Sequence, residues 1–152
     1  MFKKILVPVD GSDFAYLAAQ RAVFMAAKQG GMVTLLHVIN HSRDSRGINL
    51  RPAPKNEQID QLEIEGLALL EKVRANLELI RAAEHDDNII IESELAWGNP
   101  AEVIVEKAKS GGYNLIVMGS RGLGALSSLL LGSVSERVVK MAPCQVLIVR
   151  GE

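Results

Sequence analysis

The sequence predicts an α/β protein with a five-stranded parallel sheet, and three observations support this prediction. Short apolar segments rich in Val, Ile and Leu alternate with segments whose apolar residues recur at helical spacing. The short segments are hydrophobic without interruption, which is typical of strands buried on both faces of a parallel sheet. Their order is β-α-β-α-β-α-β-α-β, which predicts a single doubly wound domain over residues 1–152.

The predicted strands comprise residues 3–9, 32–39, 88–95, 113–118 and 145–150. Right-handed crossovers leave few ways to connect them, and the favoured strand order is 3-2-1-4-5. In that order the winding direction of the sheet changes between strands one and four. Ligands of such sheets bind outside the carboxyl ends of the strands at this switch point. We therefore expect Asp10 and Gly119, which follow strands one and four, to lie close together.

Capping residues and apolar spacing indicate the first two helices. Ser12 is a suitable N-cap for the first helix, Asp13 favours its first turn, and Gly30 with Gly31 ends it. The second helix is longer. We expect it to bury one apolar stripe, made of Ile59, Leu62, Leu69, Leu70, Val73, Leu77 and Ile80.

The third helix has the clearest start signal in the chain. Asn99 is a good cap, Pro100 suits the first helical position, and Glu102 is placed to reach back to the cap. The last helix is predicted to begin near Ser133. Glu136 follows three residues later, which suggests a second capping box.

Composition and charge exclude several classes of function. The 152 residues carry a net charge near −1, so there is no basic footprint for nucleic acid. No apolar stretch approaches the length of a membrane span, and the amino terminus runs directly into a strand, so we expect neither an anchor nor a signal peptide. The single cysteine, Cys144, fits a reducing cytoplasmic location and is expected to be a small core residue.

A glycine pattern after strand four is the most informative motif. Gly119 and Gly122 are followed, after nine residues, by Gly132 and Ser133, where the last helix begins. Glycine lets the main chain approach an anion, and a helix N-terminus adds unpaired N–H groups and a positive dipole end. The pattern therefore favours a nucleotide as ligand, although a loop with ordinary turn glycines remains the alternative at this point.

Asp10 is the carboxylate expected beside that loop. It is suited to accept from a ribose hydroxyl or to hold a phosphate-bound Mg²⁺ through water, and the alternative is a carboxylate that only caps a turn. A Walker-type phosphate loop and a GxGxxG dinucleotide motif after strand one are both absent from the sequence. Strand three ends without the acidic residue that a phospho-acceptor domain would need.

Catalytic and metal-binding sets are not indicated. The histidines, His37, His41 and His85, lack metal-ligand spacing among themselves or with Cys144, and we expect His37 to be a hydrogen-bonded structural residue. No nucleophile–base pair converges in this topology. Binding is therefore better supported than turnover.

The segment at residues 40–56 is unusually long for a compact domain. It contains Arg43, Arg46, Arg51 and Lys55 against one acid, Asp44. A solvated loop is the default interpretation. Because the segment leaves strand two beside the expected pocket, a lid that contacts phosphates is the alternative.

Taken together, these motifs resemble the universal stress protein family over essentially the whole chain. The matching pieces are residues 4–12, 36–38, 98–104, 115–122, 131–137 and 146–150, and their combined order is far more specific than any one of them. Members of the family divide into ATP binders and non-binders. Binders carry G-x2-G-x9-G-[S/T], which is intact here at Gly119, Gly122, Gly132 and Ser133.

The resemblance implies a Rossmann-like fold of the adenine nucleotide alpha hydrolase-like type that binds ATP with Mg²⁺. Asp10 would hold ribose or metal-linked groups. No residue would bind the metal directly, and Asp10 would reach it through a water molecule. The implied adenine contacts are Pro8, Val9, Val38 and Met118. The implied ribose and phosphate contacts are Gly119, Arg121, Gly122, Gly132, Ser133, Val134 and Ser135.

We therefore expect a cytoplasmic, ATP-binding stress-response regulator or chaperone-like factor. The alternatives are a slow Mg²⁺-dependent ATPase or nucleotide hydrolase, and an interaction module whose pocket holds another adenine compound. Strand five is expected to be an edge strand too apolar to stay uncovered. We expect a homodimer formed by pairing of this strand between two copies, through Gln145, Val146, Leu147, Ile148 and Val149.

Overall fold

A parallel sheet organises the part of the chain that the computed structural model describes, which is residues 2–27, 30–40, 56–85, 88–122 and 130–151. Within these residues the sheet has five strands: β1 Lys4–Pro8, β2 Met32–Ile39, β3 Ile90–Trp97, β4 Leu115–Gly119 and β5 Gln145–Val149. Their order is β3-β2-β1-β4-β5, and neighbouring strands run parallel. The predicted fold class and strand order are confirmed.

Helices cover both faces of the sheet. They are α1 Asp13–Ala27, α2 Asn56–Ala83, α3 Pro100–Ser110 and α4 Ser133–Met141. Alternate strand residues separate two cores. Val7 and Leu35 pack with α1 and α2, whereas Leu6 and Leu36 pack with α3 and α4. This alternation follows from the two-residue period of a strand, and it explains why the strands are apolar throughout.

Strands β3 and β4 end later than the sequence predicted. The β2–β3 ladder continues to the pair Ile39 and Trp97, and Gly98 N then donates to Ile39 O at 3.0 Å. The β4–β5 ladder similarly includes Gly119 opposite Val149. Pairing with a neighbouring strand thus overrides the local composition that suggested earlier ends.

Helix α2 packs on the sheet through a glycine. A Cβ at Gly66 would lie 2.7 Å from Leu95 Cδ1 and 3.0 Å from His37 Cδ2, so a larger residue would require these side chains to shift. Leu70, Val73 and Leu77 continue the buried stripe as predicted. Leu62 was expected to be buried but is 38% exposed. Its burial was predicted wrongly because the contact with the sheet is centred on Gly66 and the residues after it.

Two sequence expectations concern regions that the structure describes only in part. The possible lid at residues 40–56 lies outside the described residues except at its two ends, and residues 123–129 of the glycine loop also lie outside them. Among the residues described, no helix is long and apolar enough to cross a membrane.

Candidate functional site

A pocket of about 380 Å³ opens at the carboxyl edge of the sheet. It lies between the ends of β1, β2 and β4 and the first turns of α3 and α4. Every residue that the sequence and the family resemblance predicted for the site lines it: Pro8, Val9, Asp10, Val38, Met118, Gly119, Arg121, Gly122, Gly132, Ser133, Val134 and Ser135. The switch-point rule therefore located this pocket correctly.

Four further residues line the pocket that were not predicted as site residues: Ala15, Leu36, Pro100 and Ile104. Leu36 precedes Val38 by two positions and so shares its face of β2. Ile104 belongs to the buried stripe of α3, whose first turn starts beside the pocket. Leu36, Ile104 and Met118 form an apolar wall of the pocket, and Leu36 and Ile104 are almost wholly buried. Strand and helix periodicity were the signals that could have found them.

The first turn of α3 is completed by its own side chain. Asn99 has extended backbone angles, φ −73° and ψ 122°, and its Oδ1 accepts from Glu102 N at 3.2 Å. The cap at Asn99 is confirmed. The carboxylate of Glu102 pairs instead with Arg137 of α4 at 3.0 Å, so the reciprocal half of the predicted capping box is replaced by a contact between helices.

A second ion pair holds α3 on the sheet, away from the pocket. Lys107 Nζ of α3 pairs with Glu94 of β3. The hydrogen bond from Lys107 to Glu94 raises the pKa of the lysine, because the carboxylate stabilises the charged ammonium. This pair sits on the surface and therefore contributes little to folding stability.

The first turn of α4 has no such completion among the described residues. Its N-cap is Gly132, with φ −71° and ψ 168°, and no side-chain hydrogen bond from this part of the chain caps the helix. The predicted capping box between Ser133 and Glu136 is wrong. Ser133 is already the first helical residue, and the Glu136 carboxylate accepts from Lys140 at 3.1 Å. The N–H groups at this helix start therefore face the pocket without a side-chain partner that the structure describes.

The two ends of the glycine loop meet at Ser120. Its carbonyl accepts from Gly132 N at 2.7 Å and from Ser135 Oγ at 2.9 Å, while Ser120 N donates to Val149 O at 2.9 Å. Ser135 Oγ also lies 3.1 Å from Gly132 O. The side chain of Ser135 thus contacts main-chain carbonyls, and the phosphate contact that the resemblance implied for this residue stays a prediction.

Gly122 is in close contact with a carboxylate. The φ values of Gly122 and Gly132 lie outside the left-handed region, so the backbone angle does not require glycine at either position. A Cβ on Gly122 would overlap Asp10 Oδ2. The other oxygen of Asp10, Oδ1, accepts from Ser12 N at 2.9 Å. Asp10 and Gly122 are therefore packed directly together across the switch point.

Gly119 has a second reason to be glycine. A Cβ there would lie 2.6 Å from Phe14 Cβ and 2.8 Å from the Phe14 main-chain carbon. Glycine at this position allows α1 to pack closely on the end of β4. The first glycine of the motif thus serves the fold, in addition to lining the pocket.

Arg121 contributes an unusual polar atom. Its Nε is buried and has no hydrogen-bond partner among the residues that the structure describes. A buried donor without a partner costs free energy, about 1–3 kcal/mol. Because Arg121 lines the pocket, its guanidinium charge favours an anionic ligand there.

His37 has the structural role that the sequence suggested. Its Nδ1 lies 2.8 Å from Val9 O, with the donor assigned to this nitrogen because a carbonyl only accepts. Val9 N donates to Leu36 O at 2.9 Å. These bonds hold the end of β1 on β2, immediately before Asp10.

Groups of three or more His, Cys, Asp or Glu side chains able to hold a metal ion do not occur among the described residues. Asp10 is the only carboxylate that lines the pocket in this part of the chain. The arrangement consists of an apolar wall, one carboxylate, one guanidinium and a helix start with open N–H groups. Chemically it is suited to hold a ligand with an apolar ring at one end and an anion at the other.

Comparisons with known proteins agree on one family. The model of the universal stress protein family matches residues 1–150. Universal stress protein YxiE of Bacillus subtilis is 37% identical over 99% of this chain and 100% of its own length.

Solved structures agree with the family match. Universal stress protein MJ0577 of Methanocaldococcus jannaschii is 34% identical over 99% of this chain and 96% of its own length. The solved structure of MJ0577 superimposes with a TM-score of 0.70 and 31% identity, over 100% of this chain and 98% of that one. A universal stress protein from Archaeoglobus fulgidus in complex with dAMP has the same fold, with a TM-score of 0.63 and 22% identity over 98% and 99% of the two chains. The chain therefore belongs to the universal stress protein family.

Proposed function

We propose that this protein binds ATP at the pocket between β1 and β4 and acts as a nucleotide-dependent stress-response regulator or chaperone-like factor. The observation that carries the proposal is the start of α4, which lacks a side-chain cap among the described residues and faces the pocket. An anion is the natural partner of such a helix end. The guanidinium of Arg121 adds a positive charge to the lining of the same pocket.

The two ends of the pocket suit the two ends of a nucleotide. Leu36, Val38, Ile104 and Met118 offer an apolar slot for a flat base. Ser133 and Val134, in the first turn of α4, offer main-chain N–H groups for phosphates. A volume of about 380 Å³ lies within the ordinary range for small-molecule sites.

The known structures support this proposal only as examples. The dAMP in the Archaeoglobus fulgidus complex shows that an adenine nucleotide fits one protein of this fold. At 22% identity that likeness concerns the fold, so the case for this chain rests on its own residues. The single cysteine favours a reducing compartment such as the cytoplasm.

Magnesium is proposed to enter with the phosphates. The donor set around the pocket fits a weakly held, phosphate-bound ion, because Asp10 offers one carboxylate and the triphosphate would supply the other charged oxygens. Bound in this way, Mg²⁺ would neutralise phosphate charge. The role of Asp10 is then to orient the ribose or a water of the ion.

Isothermal titration calorimetry with ATP, with and without Mg²⁺, tests the proposal. We expect saturable binding that is tighter with Mg²⁺, and native mass spectrometry of the purified protein should show an adenine nucleotide retained. Absence of heat and of a thermal shift at millimolar ATP would sink the idea. Retention of a different adenine compound in place of ATP would favour the interaction-module alternative.

Turnover is proposed to be slow. Among the described residues that line the pocket, Asp10 alone offers a group able to act as a base, and its carboxylate is already hydrogen-bonded to Ser12 N. Phosphate release by purified protein measures this directly. Rates in the ordinary enzyme range, about 1–1000 per second, would favour the ATPase alternative.

We also propose that two copies pair through β5. This strand is bonded to β4 on one side and forms the edge of the sheet. Leu147 on the strand is 38% exposed, and Val139 and Met141 on the adjoining α4 are 47% and 48% exposed. An apolar edge of this kind normally needs a cover or a partner, and pairing the same strand of two copies covers both edges by one two-fold contact.

Proline substitutions test the dimer with little change to side-chain packing. Val146→Pro and Val149→Pro each remove one main-chain donor, and the one whose donor faces the partner should give monomers. Light scattering on folded variants measures the state. A wild-type protein that is monomeric at micromolar concentrations would refute this part of the proposal.

A further inference from the structure

Ser120 connects the sheet to both ends of the glycine loop. Its N–H is bonded to Val149 of β5, and its carbonyl accepts from Gly132 N and from Ser135 Oγ. The position of Ser120 is therefore set by the sheet. The bonds from Gly132 N and Ser135 Oγ to the Ser120 carbonyl then hold the N-cap and the first turn of α4 against the end of β4.

The hydroxyl of Ser135 lies within hydrogen-bond distance of two main-chain carbonyls. The residue is 2% exposed, and Oγ lies 2.9 Å from Ser120 O and 3.1 Å from Gly132 O. A hydroxyl has one proton, and both neighbouring carbonyls only accept. The geometry therefore directs the proton to the main chain.

The bond matters because the loop is long. Nine residues separate Gly122 from Gly132, and fixing two such points of a chain relative to each other costs conformational entropy. The bond from Gly132 N to Ser120 O already closes the loop. The bond from Ser135 adds a second closure, which fixes the direction of the helix start relative to β4.

We propose that Ser135 is a positioning residue that clamps the start of α4 to the end of β4, and so keeps the N–H groups of that helix start arranged for phosphate before the ligand arrives. This inference rests on the proposed nucleotide function. The clamp acts at the phosphate end of the pocket only. The apolar wall around Ile104 and Val38 does not depend on it.

The test compares Ser135→Ala with wild type by two readouts. The first is hydrogen exchange at the Gly132 amide in ligand-free protein, which we expect to become faster when the clamp is lost. The second is the ratio of the ATP and adenosine dissociation constants. We expect ATP binding to weaken about tenfold, the effect of losing one buried hydrogen bond, and adenosine binding to stay within about a factor of two.

Three further variants sharpen the comparison. Ser135→Thr keeps the hydroxyl and should restore both readouts. Ser135→Cys keeps nearly the same size but has only a weak donor. If the alanine variant does not fold, the cysteine variant replaces it, and both readouts should shift in the direction expected for alanine. Ser110→Ala is the matched control, because Ser110 Oγ also donates to a main-chain carbonyl, that of Glu106 at 2.9 Å, on an exposed helix end far from the loop in the chain. It should change neither readout.

Each other result overturns a distinct statement. Equal weakening of ATP and adenosine binding would show a general structural role and overturn the inference. Weaker ATP binding with unchanged exchange at Gly132 would make Ser135 a direct ligand, and would overturn it too. A wild-type protein without ATP binding would sink the proposed function and the phosphate role together, while the exchange measurement would still decide whether the clamp exists.

Discussion

Helices α3 and α4 both begin at the pocket, but their first turns are completed in different ways. At α3 the Asn99 side chain accepts from Glu102 N, so the helix satisfies one of its own N–H groups. At α4 the N-cap is Gly132, which has no side chain to do this. Among the described residues, one helix start on this rim thus has a side-chain cap on an N–H group and the other has none.

The difference divides the pocket into two functional ends. Next to the capped α3, Pro100 and Ile104 contribute apolar surface suited to a base. Next to the uncapped α4, the lining is main chain and small polar side chains, with the buried Nε of Arg121 close by in the sequence. Within the described residues, the helix start without a side-chain cap thus lies where the proposed phosphates would bind. Helix capping, more than composition, orients the proposed ligand.

The largest expected effect comes from giving α4 the cap that it lacks. Gly132→Asp fits the extended backbone at this position, and a Cβ there would meet atoms no closer than Arg121 Cα at 3.5 Å. The new carboxylate should cap the helix and repel phosphate. We expect ATP affinity to fall by about a hundredfold or more, since charged hydrogen bonds are lost. Calorimetry measures the affinity, and the melting temperature should hold or rise slightly because Asp is a better cap than Gly.

Gly132→Asn is the matched control for charge. Asparagine caps a helix about as well as aspartate but carries no charge. It should therefore weaken ATP binding less than Gly132→Asp does. If both folded variants bind ATP as tightly as wild type, the open helix start is not the phosphate site, and the contrast between α3 and α4 has no functional meaning.

A smaller effect is expected at the opposite side of the loop. In Gly122→Ala the new methyl group would occupy the place of Asp10 Oδ2, so the carboxylate must turn away. If Asp10 holds ribose or an ion-bound water, ATP affinity should fall about tenfold. A double-mutant cycle with Asp10→Ala separates the causes. Gly122→Ala should add nothing once the carboxylate is gone, and an additive effect would instead point to the glycine backbone as the contact.

The topology that brings the two helix starts to one pocket was predictable from sequence. Continuous apolar strands and right-handed crossovers predicted the strand order, and the order brought Asp10 beside the loop that follows β4. The cap at Asn99 was also predictable, because its pattern with Pro100 and Glu102 is local. Interactions that depend on a few neighbouring residues are visible in a single sequence.

The details of the loop were not predictable for a physical reason. The capping box expected at Ser133 did not form because the N-cap is Gly132, one residue before Ser133. The clamp by Ser135 depends on the carbonyl of Ser120, fifteen residues away, whose direction is set by pairing with Val149. The need for glycine at positions 119 and 122 comes from Phe14 and Asp10, contacts that exist only in the folded sheet.

The smallest expected effect on binding, and the sharpest control for the contrast, comes from removing the cap of α3. Asn99→Ala leaves Glu102 N without its side-chain acceptor and should cost about 1 kcal/mol of folding free energy. For a domain of this size that lowers the melting temperature by about 2–4 °C. ATP affinity should stay within about a factor of two, because the base end of the pocket is held by the buried stripe of α3 and not by its cap. Thermal melts and calorimetry on the same sample measure both quantities. A loss of affinity as large as that of Gly132→Asp would show that both helix starts serve the phosphates, and would break the division of the pocket into two ends.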